Sequence, residues 1–194
     1  ETPEYEHINY NLAYAYFKQK EYANAIDEFK KYVQKGNGDL IRKNDSYLRI
    51  GDGYFISSDY KSAIEYYNNA IKMNGIDSDY AQFQKAICYG LIGDESAKIN
   101  ELNLFLKKYT KSIYSDDAYF VLGNSYIKTS KNQLALERFE KLISNYNRSP
   151  LVSQAMLKKG LIYYNTDKNE QAITSYKGVV NRFPNTAEAN QAVK

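Results

Sequence analysis

One pattern of helix-forming residues recurs along this chain, and the repetition constrains the fold more than any other feature. Residues 47–54 and 119–126 show it clearly, because an aromatic, a large aliphatic, a Gly and a Tyr recur at identical offsets. The small residues that mark the five copies are Ala13, Gly51, Ala86, Gly123 and Gly160, at spacings of 38, 35, 37 and 37. Periods in this range are typical of solenoids, in which each unit buries its apolar face against its neighbours.

Short polar turns between the apolar segments predict ten helices in five antiparallel pairs. The expected spans are about 3–19 and 22–35, 44–57 and 60–73, 78–92 and 94–109, 116–129 and 132–146, and 150–166 and 169–182. Such short turns force the two helices of each pair to pack as an αα-hairpin. Thr186 then begins a last helix that the chain truncates, so we expect this sequence to be a piece of a longer protein.

Charge and composition exclude several classes of function. The 194 residues carry 26 basic and 23 acidic side chains, which gives a net charge of +3 and no electrostatic drive toward nucleic acid. No apolar run approaches the roughly 20 residues that a membrane-spanning helix needs. The single Cys, Cys88, lies among apolar neighbours and is expected to be buried. With one His and one Cys, the sequence predicts no zinc site and no cofactor.

Candidate catalytic groups have better structural explanations. His7, the one histidine, has no nucleophile positioned near it by the sequence. Asp116 and Asp117 follow Ser115 and fit the first turn of a helix, where acidic side chains stabilise the dipole. The segment 51–53 lies inside a helix and is too short for a phosphate-binding loop. We therefore expect a protein that is not an enzyme.

The repeat resembles the tetratricopeptide repeat family. The second copy is the best match, and the residues that carry it are Tyr47, Ile50, Gly51, Tyr54, Tyr60, Ala63, Tyr67 and Ala70. The third copy is degenerate, because Lys98 replaces a small residue. The resemblance implies an all-α, right-handed superhelical solenoid over 1–194. Its repeats would cover about 3–38, 44–76, 78–112, 116–148 and 150–184, and 186–194 would begin a further or capping helix.

The long period and the segment 182–189 also resemble an envelope-associated branch of the family. That branch contains periplasmic Tol-Pal-associated proteins and outer-membrane assembly lipoproteins. This resemblance favours the periplasm or cell envelope over the cytoplasm.

In this family the first helices of the pairs line a concave groove that binds protein segments. The positions that correspond to groove residues are Tyr10, Tyr14, Phe17, Leu48, Asp52, Phe55, Phe83, Ile87, Phe120, Asn124, Leu157, Leu161 and Tyr164. An aromatic surface with few polar anchors suits an apolar or amphipathic partner segment. The alternative is that these side chains simply pack between repeats.

The family's carboxylate clamp, which grips a C-terminal carboxylate with basic side chains, is not expected here. The corresponding positions are Tyr10, Tyr14, Asp52, Tyr80 and Phe83, none of which is basic. The sequence therefore predicts a non-catalytic protein-binding scaffold that binds a protein or peptide. The alternatives are a structural or oligomerisation module of a larger bacterial envelope protein, self-associating through its solenoid ends, and an enzyme whose active site lies outside this sequence.

Overall fold

The chain is all-helical throughout the residues that the computed structural model describes, 7–35 and 39–193, where no strand occurs. These ranges contain eleven helices: α1 (Ile8–Lys18), α2 (Tyr22–Gln34), α3 (Leu40–Ile56), α4 (Tyr60–Met73), α5 (Ser78–Leu91), α6 (Glu95–Lys108), α7 (Ser115–Lys128), α8 (Asn132–Asn145), α9 (Val152–Tyr164), α10 (Asn169–Arg182) and α11 (Ala187–Ala192). The first ten form five helix–turn–helix pairs, which confirms the predicted fold class. In each pair we call the earlier helix the first helix and the later one the second helix.

The helices group into two compact units, which we call unit 1 (Glu1–Phe105) and unit 2 (Leu106–Lys194). Unit 1 holds α1 to α5 and most of α6, and unit 2 holds α7 to α11. Each unit buries its own core, which includes Phe29, Ile50 and Tyr67 in unit 1 and Leu122 and Phe139 in unit 2. The organisation of 1–194 as one array stays a prediction.

Every hairpin turn is built in the same way. The residue seven positions after the small marker residue has a left-handed backbone with φ between 57° and 84°. These residues are Lys20, Ser58, Gly93, Ser130 and Asp167. The next residue donates its N–H to the carbonyl of a tyrosine five positions earlier, as Glu21 does to Tyr16 at 3.0 Å. This is the Schellman arrangement, which ends one helix and directs the chain back along it.

Small residues on the first helices are required by aromatic rings on the second helices. A methyl group on Gly51 would lie 2.7 Å from Tyr67 Cε1, and one on Gly123 would lie 2.5 Å from Phe139 Cε1. Both distances are far below van der Waals contact, so any side chain at these positions would displace the ring. The recurring glycines therefore mark the positions at which an aromatic ring packs against the helix backbone.

In the degenerate third repeat, a lysine on the second helix packs over a glycine on the first helix. Lys98 replaces the small residue on the second helix, and its side chain lies over Gly90 on α5, where an added methyl group would be 2.8 Å from Lys98 Cδ. Lys85 also pairs with Glu101 at 2.6 Å, which joins α5 to α6. The group that packs on this glycine is thus a flexible lysine side chain, which can move aside, rather than a rigid ring.

One predicted helix boundary is wrong in a way that matters for the surface. The sequence pattern placed the start of the third helix at residue 44, but α3 begins at Leu40. The Asp39 side chain caps it by accepting a hydrogen bond from the Ile41 N–H at 2.8 Å. Leu40 and Ile41 therefore belong to the first turn of α3. The predicted start of the first helix at residue 3 lies outside the described residues, as do residues 36–38 between the second and third predicted helices.

Candidate partner-binding surface

The residues predicted to line the groove differ widely in exposure. Tyr164 is 63% exposed. The partly exposed members are Tyr10, Tyr14, Phe17, Phe55, Ile87, Phe120, Asn124 and Leu161. The buried members are Leu48, Asp52, Phe83 and Leu157. Partner contact by this set stays a prediction, and the surface available for it consists of the exposed and partly exposed members.

The fully buried aromatic side chains and the predicted groove aromatics lie on different helices of the hairpins. The largest fully buried aromatic side chains all lie on second helices, and they are Phe29, Tyr32, Tyr67, Phe105 and Phe139. The predicted groove aromatics lie on first helices and, apart from Phe83, keep part of their surface exposed. The fully buried rings thus come from second helices, whereas the predicted groove rings on first helices mostly keep part of their surface exposed; Phe83 and Tyr126 are buried rings on first helices.

A carboxylate on α3 supports the aromatic surface of α1. Asp45 Oδ2 accepts hydrogen bonds from Tyr10 Oη at 2.9 Å and from Tyr14 Oη at 2.5 Å. The two rings also contact each other edge to face, with centroids 5.0 Å apart. Burial, reinforced by Asp45, raises the pKa of both phenols above the ordinary value, so they remain neutral donors. The two predicted groove tyrosines are held in fixed positions.

Asp52 is the centre of a second polar cluster, and it faces the interior of unit 1. Its side chain accepts hydrogen bonds from Tyr67 and Tyr80, each at 2.8 Å, and from Arg49 at 2.6 Å. Burial raises the pKa of Asp52, while the Arg49 guanidinium and the tyrosine hydroxyls oppose that shift. The same Arg49 bonds Asp45 at 3.3 Å and so joins the two clusters. Asp52 is therefore satisfied internally and orders α3, α4 and α5.

An apolar cleft opens beside this network in unit 1. Its volume is about 690 Å³, and it lies among α1, the first half of α3, the end of α4 and the turn that follows it. The lining residues are Tyr10, Leu40, Ile41, Asn44, Asp45, Leu48, Met73, Gly75, Ile76 and Asp77. Leu40, Ile41 and Ile76 are 71%, 65% and 68% exposed. We call this site the unit 1 cleft.

Sequence reasoning found only Tyr10 and Leu48 among the residues of the unit 1 cleft. It missed Leu40 and Ile41 because the glycines before them suggested a loop. The signal that could have found them is Asp39, a helix-capping residue followed directly by two apolar residues.

Unit 2 has a smaller apolar notch at its last helix. Its volume is about 290 Å³, and it lies between α10 and the end of the last helix. Its lining residues are Ile173, Tyr176, Lys177, Val180, Asn181, Ala192 and Val193. Ile173 is 52% exposed and Val193 is 70% exposed. The notch leaves an apolar edge uncovered beside α11.

The described part of the chain offers little for metal or membrane chemistry. Within residues 7–35 and 39–193, no group of three or more His, Cys, Asp or Glu side chains is placed to hold a metal ion. Over the same residues, every helix is too short or too polar to cross a membrane. Cys88 is buried, and burial raises the pKa of its thiol to about 12.

Family models identify the repeats independently of the packing. Tetratricopeptide repeat models match residues 1–39, 45–77, 117–149 and 154–186. These matches cover most of the sequence and coincide with the first, second, fourth and fifth helical hairpins. The chain belongs to the tetratricopeptide repeat family.

Two curated relatives are similar over part of the chain. A TPR repeat-containing protein, MJ1428 of Methanocaldococcus jannaschii, is 29% identical over 57% of this chain and 20% of its own length. Anaphase-promoting complex subunit 3 of Schizosaccharomyces pombe is 31% identical over 67% of this chain and 18% of its own length. The chain thus spans about a fifth of the length of these relatives.

Solved structures show the same fold at low identity. A crystal structure of MamA superposes with a TM-score of 0.73 at 21% identity, covering 94% of this chain and 98% of that one. YrrB, described as a TPR protein with an unusual peptide-binding site, has a TM-score of 0.70 at 16% identity, covering 94% and 88%. At these identities the similarity concerns the fold alone.

Proposed function

We propose that this chain is a non-catalytic scaffold that binds an apolar or amphipathic segment of a partner protein. Tetratricopeptide repeat proteins generally mediate protein–protein interaction. The binding surface would be formed by the exposed and partly exposed groove residues of the first helices. The observation that carries the proposal is that the predicted groove aromatics of the first helices, apart from Phe83, keep part of their surface exposed, while the fully buried rings lie on second helices.

The physical reason is that exposed aromatic rings are effective anchors for a partner. They bury a large apolar area and lose little conformational entropy on binding, and such residues dominate the energetics of interfaces. Tyr10 and Tyr14 are also fixed in advance by Asp45, which lowers the entropy cost of binding. Among the predicted groove residues Asp52 alone is charged, and it is buried, so affinity would depend only weakly on salt.

The test is the selection of peptides from a random dodecamer phage library on the folded protein, followed by titration of the selected peptides. Phe55 is a partly exposed groove aromatic, and Phe55→Ala is expected to weaken binding by about 1–2 kcal/mol. Phe183→Ala removes a ring that is also partly exposed but lies outside the first helices, and it serves as the control. Affinity that collapses with salt, or that ignores Phe55, would contradict binding on the groove surface.

A structural or oligomerisation role is the second candidate, and the unit 2 notch favours it. The uncovered edge formed by Ile173 and Val193 is suited to stacking against further repeats or another copy of the chain. Sedimentation of the wild type and of Ile173→Ser/Val193→Ser would test this role. Association that requires these two side chains supports it, and a monomer at every concentration contradicts self-association. A place in the cell envelope stays a prediction from the resemblance of residues 182–189, testable by fractionating the source cell.

A further inference from the structure

We propose that the unit 1 cleft is an anchor site for one apolar side chain of the partner segment, and that Asn44 accepts a hydrogen bond from an N–H group of that segment. The partner segment also carries a lysine or arginine next to this apolar side chain, which pairs with a carboxylate of the cleft. The inference rests on the proposed function and adds a site outside most of the predicted groove residues.

The apolar part of the argument is the exposure of the cleft walls. Leu40, Ile41 and Ile76 each leave about two thirds of their surface in water, and Leu48 forms the buried floor. A volume of about 690 Å³ lies within the roughly 300–1,000 Å³ of pockets that bury a drug-sized ligand, so the cleft has room for one large apolar side chain and part of its neighbours. Three large apolar side chains around one concavity are an unfavourable arrangement unless a partner covers them.

Asn44 gives the cleft a polar requirement. The residue is only 4% exposed, and its Nδ2 donates to the Ile76 carbonyl at 2.8 Å. That bond fixes the amide orientation, because only the nitrogen can donate to a carbonyl. Asn44 Oδ1 is then buried in the cleft wall without a hydrogen-bond partner. Less than 1 Å² of this atom is accessible, so an N–H group of a partner reaches it only when the turn at Gly75 shifts, and pairing the buried acceptor then removes its cost.

The turn after α4 keeps the Asn44 amide in place. A methyl group on Gly75 would lie 2.8 Å from Asn44 Cγ and from its Nδ2, so the turn after α4 packs directly on the amide. Asn74 and Asp77, on either side of this turn, both have left-handed backbones, with φ of 49° and 63°. The turn therefore fixes the orientation of Asn44 Oδ1 and also covers this atom, so a partner has to displace the turn slightly to reach it.

The charges of the cleft favour a basic neighbour to the anchor. Two carboxylates line it, Asp45 and Asp77, and no lysine or arginine belongs to the described lining. The Asp77 carboxylate makes no capping hydrogen bond with α5, although the residue is at its N-cap. Since Asp45 already binds Tyr10, Tyr14 and Arg49, Asp77 is the group best placed to pair with a cation.

The experiment uses the same random dodecamer library, selected on the wild-type chain and counter-selected on Ile41→Ser/Ile76→Ser. Both replaced side chains are exposed, so the variant is expected to fold, and circular dichroism checks this. Ile113→Ser is the matched control, because Ile113 is 80% exposed and lies in unit 2. The peptides of interest bind the wild type but not the double variant. We expect these peptides to share an apolar residue next to a lysine or arginine, and to bind the double variant at least about ten-fold more weakly than the wild type.

The hydrogen bond to Asn44 is tested on the peptide side. Each backbone amide of the best peptide is N-methylated in turn, and affinities are measured for wild type and Asn44→Ala. One methyl position should weaken wild-type binding about five-fold while changing the binding of Asn44→Ala little. Equal losses with both proteins at every position would overturn the role of Asn44.

The outcomes separate this inference from the proposed function. Peptides that depend on Phe55 but bind Ile41→Ser/Ile76→Ser normally would overturn the cleft and leave the groove surface intact. Selected peptides rich in acidic residues would overturn the charge argument. If the library yields no binder and the wild-type chain dimerises through Ile41 and Ile76, the cleft is a self-association site and the inference fails.

Discussion

Tyr67 Oη donates a hydrogen bond of 2.8 Å to Asp52 Oδ1, and this contact joins the second helix of the second hairpin to its first helix. Tyr80, at the start of α5, donates to the same oxygen at 2.8 Å. One carboxylate oxygen therefore ties together three consecutive helices. A buried group that is fully satisfied in this way specifies packing geometry more sharply than apolar contact alone.

Tyr67→Phe should destabilise the chain by about 1–3 kcal/mol, because it removes a donor from a buried carboxylate without changing the shape of the ring. The measurement is urea denaturation followed by circular dichroism. Tyr164→Phe is the control, because Tyr164 is 63% exposed and the substitution removes a hydroxyl that faces water. Equal stability of the two variants would mean that Asp52 does not depend on Tyr67.

Gly123→Ala should cost about 1–3 kcal/mol, because the added methyl group overpacks the Phe139 ring. Gly90→Ala is the matched substitution, because its methyl group meets the flexible end of Lys98. There the gain in helix propensity of about 1 kcal/mol is expected to dominate, so stability should be unchanged or higher. Thermal melts of both variants test the difference. Similar shifts would contradict the packing of α7 against α8.

Asp39→Ala should destabilise unit 1 by about 1 kcal/mol, because it removes the side chain that caps α3. Lys168→Ala is the comparison, since Lys168 occupies an N-cap position without a side-chain cap hydrogen bond. Amide hydrogen exchange should show faster exchange in the first turn of α3 for Asp39→Ala alone. Unchanged exchange at Ile41 would show that the cap contributes nothing.

Cys88 should make stability depend on alkaline pH. Burial raises the pKa of the native thiol to about 12, so above the ordinary thiol pKa the unfolded chain holds fewer protons than the native chain. Stability from this group is then complete at neutral pH and falls as pH rises toward 12. Relative to Cys88→Ala, the wild type should lose about 1–2 kcal/mol between pH 8 and pH 10.

Thiol modification provides an independent check on Cys88. The native protein should react slowly with a disulfide reagent at pH 8, at a rate set by opening of the structure, and rapidly in urea. Rapid modification of the native chain would mean that the thiol is accessible, and the pH dependence would then disappear.

The positions of the repeats follow from the sequence, because they depend on local rules. The recurring Gly and Ala mark where rings pack, and the polar turns mark where each hairpin reverses, as the left-handed residues Lys20, Ser58 and Ser130 show. These features act over a few residues or one helix pair, so they remain visible in a linear pattern. The all-helical fold could be predicted for the same reason.

Which side chains form the candidate binding surface depends on contacts between residues that are distant in the sequence. Asp52 has the sequence position of a groove anchor, but Tyr67 and Tyr80 draw it into the interior. Ile76 and Leu40 are far apart in the chain and meet at one cleft only because α3 begins early and α4 ends beside it. Sequence alone determined which residues repeat and which helices they form. Tertiary structure decided which side chains are buried, because exposure depends on what each helix packs against rather than on its own residues.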